Sequence, residues 1–249
     1  MIIPDYPAEF VEGRMLLLDK PLFITSFFLV SRLRRIISAF AGVKRIKIGH
    51  AGTLDPLASG LMIVCTGKAT KQISLYQNLD KEYYATIFLG AVSDSYDMET
   101  PLRFNTIHGM IEYEEVKAAI GQLTGELIQQ PPVYSAIRLN GKHAYEAARK
   151  GQIVEMGKRQ ITIYSAAIKT YNYPVLEVII NCSTGTYIRS WTSKLGEILG
   201  TGAVLIGLRR TKTGTYDISD AISLQEIEKK LAIGGGMGVY LHSKKMQDS

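Results

Sequence analysis

One stretch constrains this chain more than any other: Lys47-Ile-Gly-His-Ala-Gly-Thr-Leu-Asp-Pro-Leu-Ala-Ser-Gly60, followed at once by the apolar run Leu61–Cys65. Glycines and a proline at this density break any regular element, so the stretch predicts a structured loop. The apolar run after it predicts a buried strand. Asp55 stands at the centre of the loop. A carboxylate held on a loop by a buried strand is how a scaffold positions a catalytic group. Asp before Pro is also a common turn pair that bonds its own backbone, so the local reading alone leaves a structural role open.

Charge sharpens the choice. Between Arg32 and Lys71 the only acidic residue is Asp55, while Arg32, Arg34, Arg35, Lys44, Arg45, Lys47, Lys68 and Lys71 surround it in the sequence. Such a field attracts phosphates and keeps a lone carboxylate ionised. The whole chain of 249 residues carries a net charge of +6, which suits a polyanionic partner. Its 46% hydrophobic and 21% charged residues are ordinary for a folded domain with a sizeable core. Cys65 and Cys182 lie in apolar, strand-like stretches without a CxxC partner and read as buried thiols. The four histidines, His50, His108, His143 and His242, lack metal-ligand spacing, so no metal site is expected. No apolar run approaches the ~18 residues of a membrane span, and no signal peptide precedes the domain, so a cytoplasmic protein that does not engage membranes is expected.

Taken in order, residues 1–13 read as a polar, Pro-containing lead-in and Met15–Leu18 as a short strand. Thr25 or Ser26 can cap a helix with an apolar stripe of Phe27, Val30, Leu33, Ile36, Ile37 and Phe40, its other face carrying Arg32, Arg34 and Arg35. A helix from Gly67 to Gln77 and an alternating strand Glu82–Leu89 follow, then a polar loop at 91–100. Tyr113–Leu123 is helical in period. Gln129–Gly141 is extended from its Pro-Pro pair, and Lys142–Lys150 reads as a short basic helix. With two Tyr and the cations Arg138, Lys142, Arg149 and Lys150, this region suits gripping RNA. Three strands, Gln160–Tyr164, Ala167–Tyr171 and Val175–Cys182, precede a helix from about Ile188 to Leu199. A strand Ala203–Leu208 and a last helix at about Ser223–Leu231 end the pattern. Mixed elements in this order predict an α/β (α+β) sheet protein.

The Asp55 loop resembles the active-site motif of the TruB family of tRNA pseudouridine synthases, matching it at Gly49, His50, Gly52, Thr53, Leu54, Asp55, Pro56, Ala58 and Gly60. Further stretches resemble the family in order: Gly67-Lys-Ala-Thr-Lys71, Lys81-Glu-Tyr83, Ser93-Asp-Ser-Tyr-Asp97 and Gln130-Pro-Pro-Val-Tyr-Ser-Ala136. Gly141-Lys-His-Ala-Tyr145, Gly185-Thr-Tyr-Ile-Arg189 and Leu208-Arg-Arg210 complete the set. The resemblance spans about residues 14–220. One departure is Met98-Glu-Thr100, where the family commonly has Gly.

The resemblance implies a catalytic domain at 1–220 with a large mixed, mainly antiparallel sheet flanked by helices, and an RNA-gripping insertion at about 129–151. It implies a short C-terminal segment, 221–249, in place of the PUA domain that many members carry. The implied reaction is isomerisation of the T-loop uridine of tRNA, at position 55, to pseudouridine without a cofactor. Asp55 is then the catalytic carboxylate, as nucleophile or in a glycal-type route. Tyr83 stacks on the flipped uracil, Arg189 pairs with Asp55, and Tyr187 and Leu208 line the base pocket. His50 packs against the RNA near the vacated base position, and Lys142 and Arg149 grip the tRNA. The expected partner is the T-arm of tRNA, and a monomer is the default. Two rival readings follow from the same residues: a non-catalytic RNA-binding module, and a two-carboxylate hydrolase using Asp94 or Asp97 opposite Asp55.

Overall fold

The polar lead-in contains a short helix, α1 (Pro7–Glu12). Pro7 stands in its first turn, where a missing N–H goes unfelt, and Phe10 is buried. The computed structural model of the chain describes residues 6–105, 110–135, 138–139, 142–143 and 156–232. The chain divides into two units, Met1–Leu79 with Arg210–Ser249, and Asp80–Arg209.

In the first unit, β1 (Met15–Lys20) leads to α2 (Ser26–Phe40), β2 (Ile48–Ala51), β3 (Ala58–Thr66), a 3₁₀ turn Gly67–Gln72 and α3 (Ile73–Gln77). β3 pairs antiparallel with β1, Met15 opposite Cys65 and Lys20 opposite Gly60, and also with β2, His50 opposite Val64. Both faces of β3 are covered. Met62 and Val64 join Leu16, Leu18, Leu29, Leu33, Ile37, Ile227 and Leu231 in one core, while Leu61 and Ile63 meet Leu17 and Ala51 on the other side. That explains why both strands read as unbroken apolar runs rather than alternating ones. Thr25 caps α2, its hydroxyl accepting from the N–H of Phe28 at 3.0 Å. The buried stripe is Leu29, Val30, Leu33 and Ile37. Phe27, expected in that stripe, is 77% exposed, because the core takes Leu29 instead and rotates the helix away from it.

The second unit begins with β4 (Lys81–Leu89), which alternates perfectly between buried and half-buried positions. β5 (Ala91–Val92) and β6 (Arg103–Phe104) form a small hairpin pair, followed by α4 (Tyr113–Gln122), β7 (Gly125–Gln129), β8 (Arg138–Leu139) and β9 (Lys142–His143). β10 (Arg159–Asn172) and β11 (Val175–Cys182) lead to α5 (Ile188–Ile198). β11 lies between β4 and β10, and β7 pairs with the far side of β10, every one of these pairs antiparallel. Two strands expected at 160–164 and 167–171 are one: β10 runs through both, with register shifts between Ile163 and Ser165 and between Ile168 and Thr170. Pairing with β11 on one side and β7 on the other overrides the local break. The basic helix expected from Lys142 is corrected at its start, where Lys142 pairs antiparallel with Leu139 as part of β9; residues 144–150 lie outside the described residues.

α5 packs on β4 and α4, and buries Ile188, Trp191 and Leu195, with the indole of Trp191 donating to the carbonyl of Leu123 at 3.0 Å. β12 (Ala203–Thr213) crosses the boundary between the units; β13 (Tyr216–Asp217) pairs with its end, and residues 224–232 form a closing helix, α6. The mixed α/β architecture with extensive antiparallel sheet is the one the sequence predicts. Among the described residues no helix is long and apolar enough to cross a membrane.

Candidate active site

Asp55 is half-buried, and the backbone on both sides of it is fixed. The hydroxyl of Ser26 accepts from the N–H of Leu54 and donates to the carbonyl of the same residue, each at 2.9 Å. The N–H of Phe23 donates to the carbonyl of Pro56 at 2.7 Å, and that of Ala58 to the carbonyl of Asp55 at 3.0 Å. The loop is thus tied down at the residues immediately before and after the carboxylate, by a turn that also caps α2.

A buried guanidinium holds the same loop from its ends. Arg210 donates from Nε to the carbonyl of Leu61 at 2.7 Å and from Nη2 to the carbonyl of Gly52 at 3.2 Å. Gly60 lies against its backbone at φ +107°, and a Cβ there would stand 2.3 Å from the carbonyl oxygen of Arg210. Only glycine fits that conformation and that approach. Lys20, also buried, donates from Nζ to the carbonyls of Pro21 and Ile24, each at 2.8 Å. Burial pulls its pKa down to about 8, the charge of Asp55 opposes that fall, and Arg210 adds to it. Asp55 and the Lys20 ammonium attract one another, which favours the charged form of each. His50, on β2, has its pKa lowered by burial, partly offset by a hydrogen bond with the backbone of Gly52. Its imidazole is neutral at pH 7 and offers a flat, uncharged face.

The second unit assembles another group. Tyr83 lies on the buried face of β4, opposite Ile180 of β11. Arg189, in the first turn of α5, is buried; Nη1 donates to the carbonyl of Ser95 at 3.2 Å and Nη2 to that of Tyr134 at 2.9 Å. Its Nε lies 3.6 Å from Asp97 Oδ2. Asp97 is itself buried, and its Oδ1 accepts from the N–H of Glu99 at 2.9 Å. Within the expected polar loop, residues 93–97 form an internally hydrogen-bonded turn, with Ser93, Ser95 and Asp97 all buried. Asp94 is exposed and paired with Arg103 at 2.7 Å. Neither acid of this loop is a bare carboxylate of the kind a two-carboxylate hydrolase needs.

Tyr187 precedes α5 and is gripped at its backbone by Gln129 of β7, while the guanidinium carbon of Arg159 sits 5.3 Å from its ring centroid. Leu208 is half-buried on β12, next to Gly207, where an added Cβ would meet Thr86 at 3.2 Å. Tyr187 and Arg189 thus share the start of one helix. Asp55 and His50 belong to the first unit, and Tyr83, Tyr187, Arg189 and Leu208 to the second. Lys142 stands on β9, and Arg149 lies outside the described residues.

Four functional residues escaped the sequence reading. Lys20 beside a proline reads as a surface turn residue, and Ser26 only as an alternative helix cap. Gln129 carries no motif signal of its own. Arg210 was visible in Leu208-Arg-Arg210, but nothing local tells a buried arginine from an exposed one.

Residues 38–188 match the family described as TruB family pseudouridylate synthase (N terminal domain), and residues 189–239 match the tRNA pseudouridylate synthase B C-terminal domain. A protein named tRNA pseudouridine synthase B from Flavobacterium johnsoniae is 43% identical over 228 residues, covering 90% of this chain and 99% of that protein. One of the same name from Phocaeicola vulgatus is 44% identical, covering 90% and 95% respectively. Among solved structures, the crystal structure of a Cbf5-Nop10-Gar1 complex is similar with a TM-score of 0.68 at 26% identity. The match covers 91% of this chain and 56% of that one, so this chain spans little more than half its length. The structure of an H/ACA RNP bound to a substrate RNA containing 2'-deoxyuridine is similar with a TM-score of 0.64 at 25% identity, covering 92% of this chain and 59% of that one. The chain belongs to the TruB family of pseudouridine synthases.

Proposed function

We propose that this chain is a tRNA pseudouridine synthase that isomerises the T-loop uridine at position 55, with Asp55 as its catalytic carboxylate. The observation that carries the reading is the construction of the Asp55 loop. A half-buried carboxylate stands between two backbone anchors, with the buried cations Lys20 and Arg210 acting on its surroundings. A group that must meet one atom of a flexible RNA gains most from such fixing, because a small displacement removes the near-attack geometry.

The reaction breaks the N1–C1′ bond of the target nucleotide, turns the freed uracil, joins C5 to C1′ and releases the proton of C5. Two routes use the same carboxylate: attack on the nucleoside to give a covalent adduct, or assistance to a glycal-type intermediate. Both need Asp55 ionised, which the attraction of the Lys20 ammonium favours. The target base must leave its stack, at a cost of a few kcal/mol. The aromatic faces of Tyr83 and Tyr187 and the neutral ring of His50 can return about 1–3 kcal/mol per stacked base. Leu208 lines the apolar side of the base pocket, Arg189 is the guanidinium that the family resemblance assigns to the carboxylate, and Lys142 and Arg149 hold phosphates of the T-arm.

The test uses a tRNA transcript carrying tritium at C5 of its uridines. Wild type should release one equivalent, and Asp55→Asn none. Tight binding without release by wild type would leave an RNA-binding module and sink the enzyme reading. Free uracil without pseudouridine would point to hydrolysis.

A further inference from the structure

The turn that anchors Asp55 also exposes a group of aromatic rings to which the chemistry above assigns no task. Phe23 is 78% exposed, Phe27 77%, Phe28 51% and Leu22 44%, so four of the seven positions from 22 to 28 present large apolar side chains to solvent. Single exposed apolar residues are ordinary, whereas a contiguous group marks an interaction site. Phe23 moreover has φ +66°, a left-handed conformation that strains a bulky side chain and that asparagine or glycine would adopt more readily. The strained residue is the one whose N–H binds the carbonyl of Pro56.

The surface around these rings is cationic. Phe28, Arg32 and Arg35 follow one another at i, i+4 and i+7 along a stripe of α2. Arg32 is engaged by Glu228 at 2.7 Å, and Arg34 donates to the carbonyl of Ile48 at 2.9 Å. Arg35 is exposed and has no partner among the described residues. Exposed aromatic rings at a helix start with an exposed guanidinium two turns along form the combination that holds unpaired nucleotides, rings taking the bases and cations the phosphates. The exposed Arg35 on the same stripe as Phe28 favours a phosphate-bearing partner over an apolar protein.

We propose that Phe23 and Phe27, with Arg35 beyond them, form a stacking platform for an unpaired nucleobase of the RNA substrate outside the pocket of the reacting uracil. The proposal rests on the synthase reading for the identity of the RNA. Its location gives it a second consequence. Phe23 and Ser26 hold the residues flanking Asp55, so a base stacked on the platform also stiffens the Asp55 loop.

The test compares wild type with the double variant Phe23→Asn, Phe27→Ala, using an unmodified tRNA transcript. Asn suits the positive φ, and both lost rings are exposed, so thermal unfolding should barely move; Phe27→Ala alone serves as a second variant that leaves the turn intact. The dissociation constant should rise about 5- to 150-fold, the weight of one stacked base, with the slope of log K against log salt unchanged because no phosphate contact is lost. Phe104→Ala, which removes a 70% exposed ring from the other unit, should bind as wild type. Equal binding by wild type and both variants would overturn the platform. So would a concentration-dependent dimer of the wild type, seen by light scattering, that the variants lack while still binding RNA normally. Tritium release by wild type is scored separately. Absence of release sinks the synthase reading, whereas release with unchanged affinity in the variants sinks only the platform.

Discussion

Gln129 grips the backbone of Tyr187 with both ends of its amide. Its Nε2 donates to the carbonyl of Tyr187 at 3.0 Å, and its Oε1 accepts from the N–H of the same residue at 2.8 Å. One side chain thereby stands in for a strand partner and fixes Tyr187, the cap of α5, two residues before Arg189. Replacing Gln129 by Ala removes both of these bonds; the carbonyl of Tyr187 still accepts from the N–H of Trp191 at 3.1 Å, so the cost falls mainly on its N–H, at about 1–3 kcal/mol. We expect Gln129→Ala to lose about 2 kcal/mol of stability in urea unfolding and to lower single-turnover pseudouridine formation about 10- to 100-fold. Gln129→Glu keeps the acceptor and loses the donor, and should fall between the two. Wild-type rates in Gln129→Ala would show that Tyr187 and Arg189 need no such anchor.

Ser26 is buried and serves Leu54 twice, as acceptor and as donor. Ser26→Ala should cost about 1–3 kcal/mol, since both backbone groups of Leu54 lose their partner. The more telling readout is kinetic. Asp55 follows Leu54 directly, so the rate at saturating RNA should fall about 10-fold while the RNA dissociation constant hardly changes. A loss confined to affinity would contradict a role for Ser26 in fixing the carboxylate.

Gly60 has the least room for change. Its φ of +107° strains any other residue, and an added Cβ would meet the backbone of Arg210 at 2.3 Å. Strain of about 1–3 kcal/mol and overpacking of similar size act together, so Gly60→Ala should lose about 3 kcal/mol or more. Thermal unfolding measures this directly. A change under about 1 kcal/mol would mean that β3 and Arg210 can separate at little cost.

Lys20 makes stability depend on alkaline pH. Its pKa falls from 10.5 to about 8 in the folded chain, chiefly through burial. Between those values the unfolded chain binds the extra proton, so raising the pH favours the folded state. Below pH 8 both states are protonated and this contribution is flat. Measured against Lys20→Met, wild type should therefore gain relative stability from pH 8 to about 10.5 in urea unfolding. Asp55 opposes the fall, so in Asp55→Asn the rise should begin at lower pH. A flat difference between wild type and Lys20→Met would show that the ammonium is not buried.

Much of this molecule is written in local sequence. The density of glycine and proline from Gly49 to Gly60 dictates a loop around Asp55, and the unbroken apolar run after it dictates a strand covered on both faces. The alternation of β4 sets which side Tyr83 occupies. The order of motifs from Gly49 to Arg210 carries the family, and with it the fold. These features are legible because backbone conformation and side-chain period depend on residues a few positions apart. What the tertiary structure decided depends on residues far apart. Gln129 meets Tyr187 across 58 positions, and Arg210 meets Leu61 across 149. Whether Lys20, Asp97 and Arg210 are buried depends on carbonyls and hydroxyls that only the folded chain brings to them, because a buried charge is tolerated only when such partners are supplied. The same holds for apolar residues. The period of α2 permits Phe27 in the core stripe, but the packing of Leu29 and Leu33 against Leu16 and Val64 turns that ring outward, beside the anchored loop of Asp55.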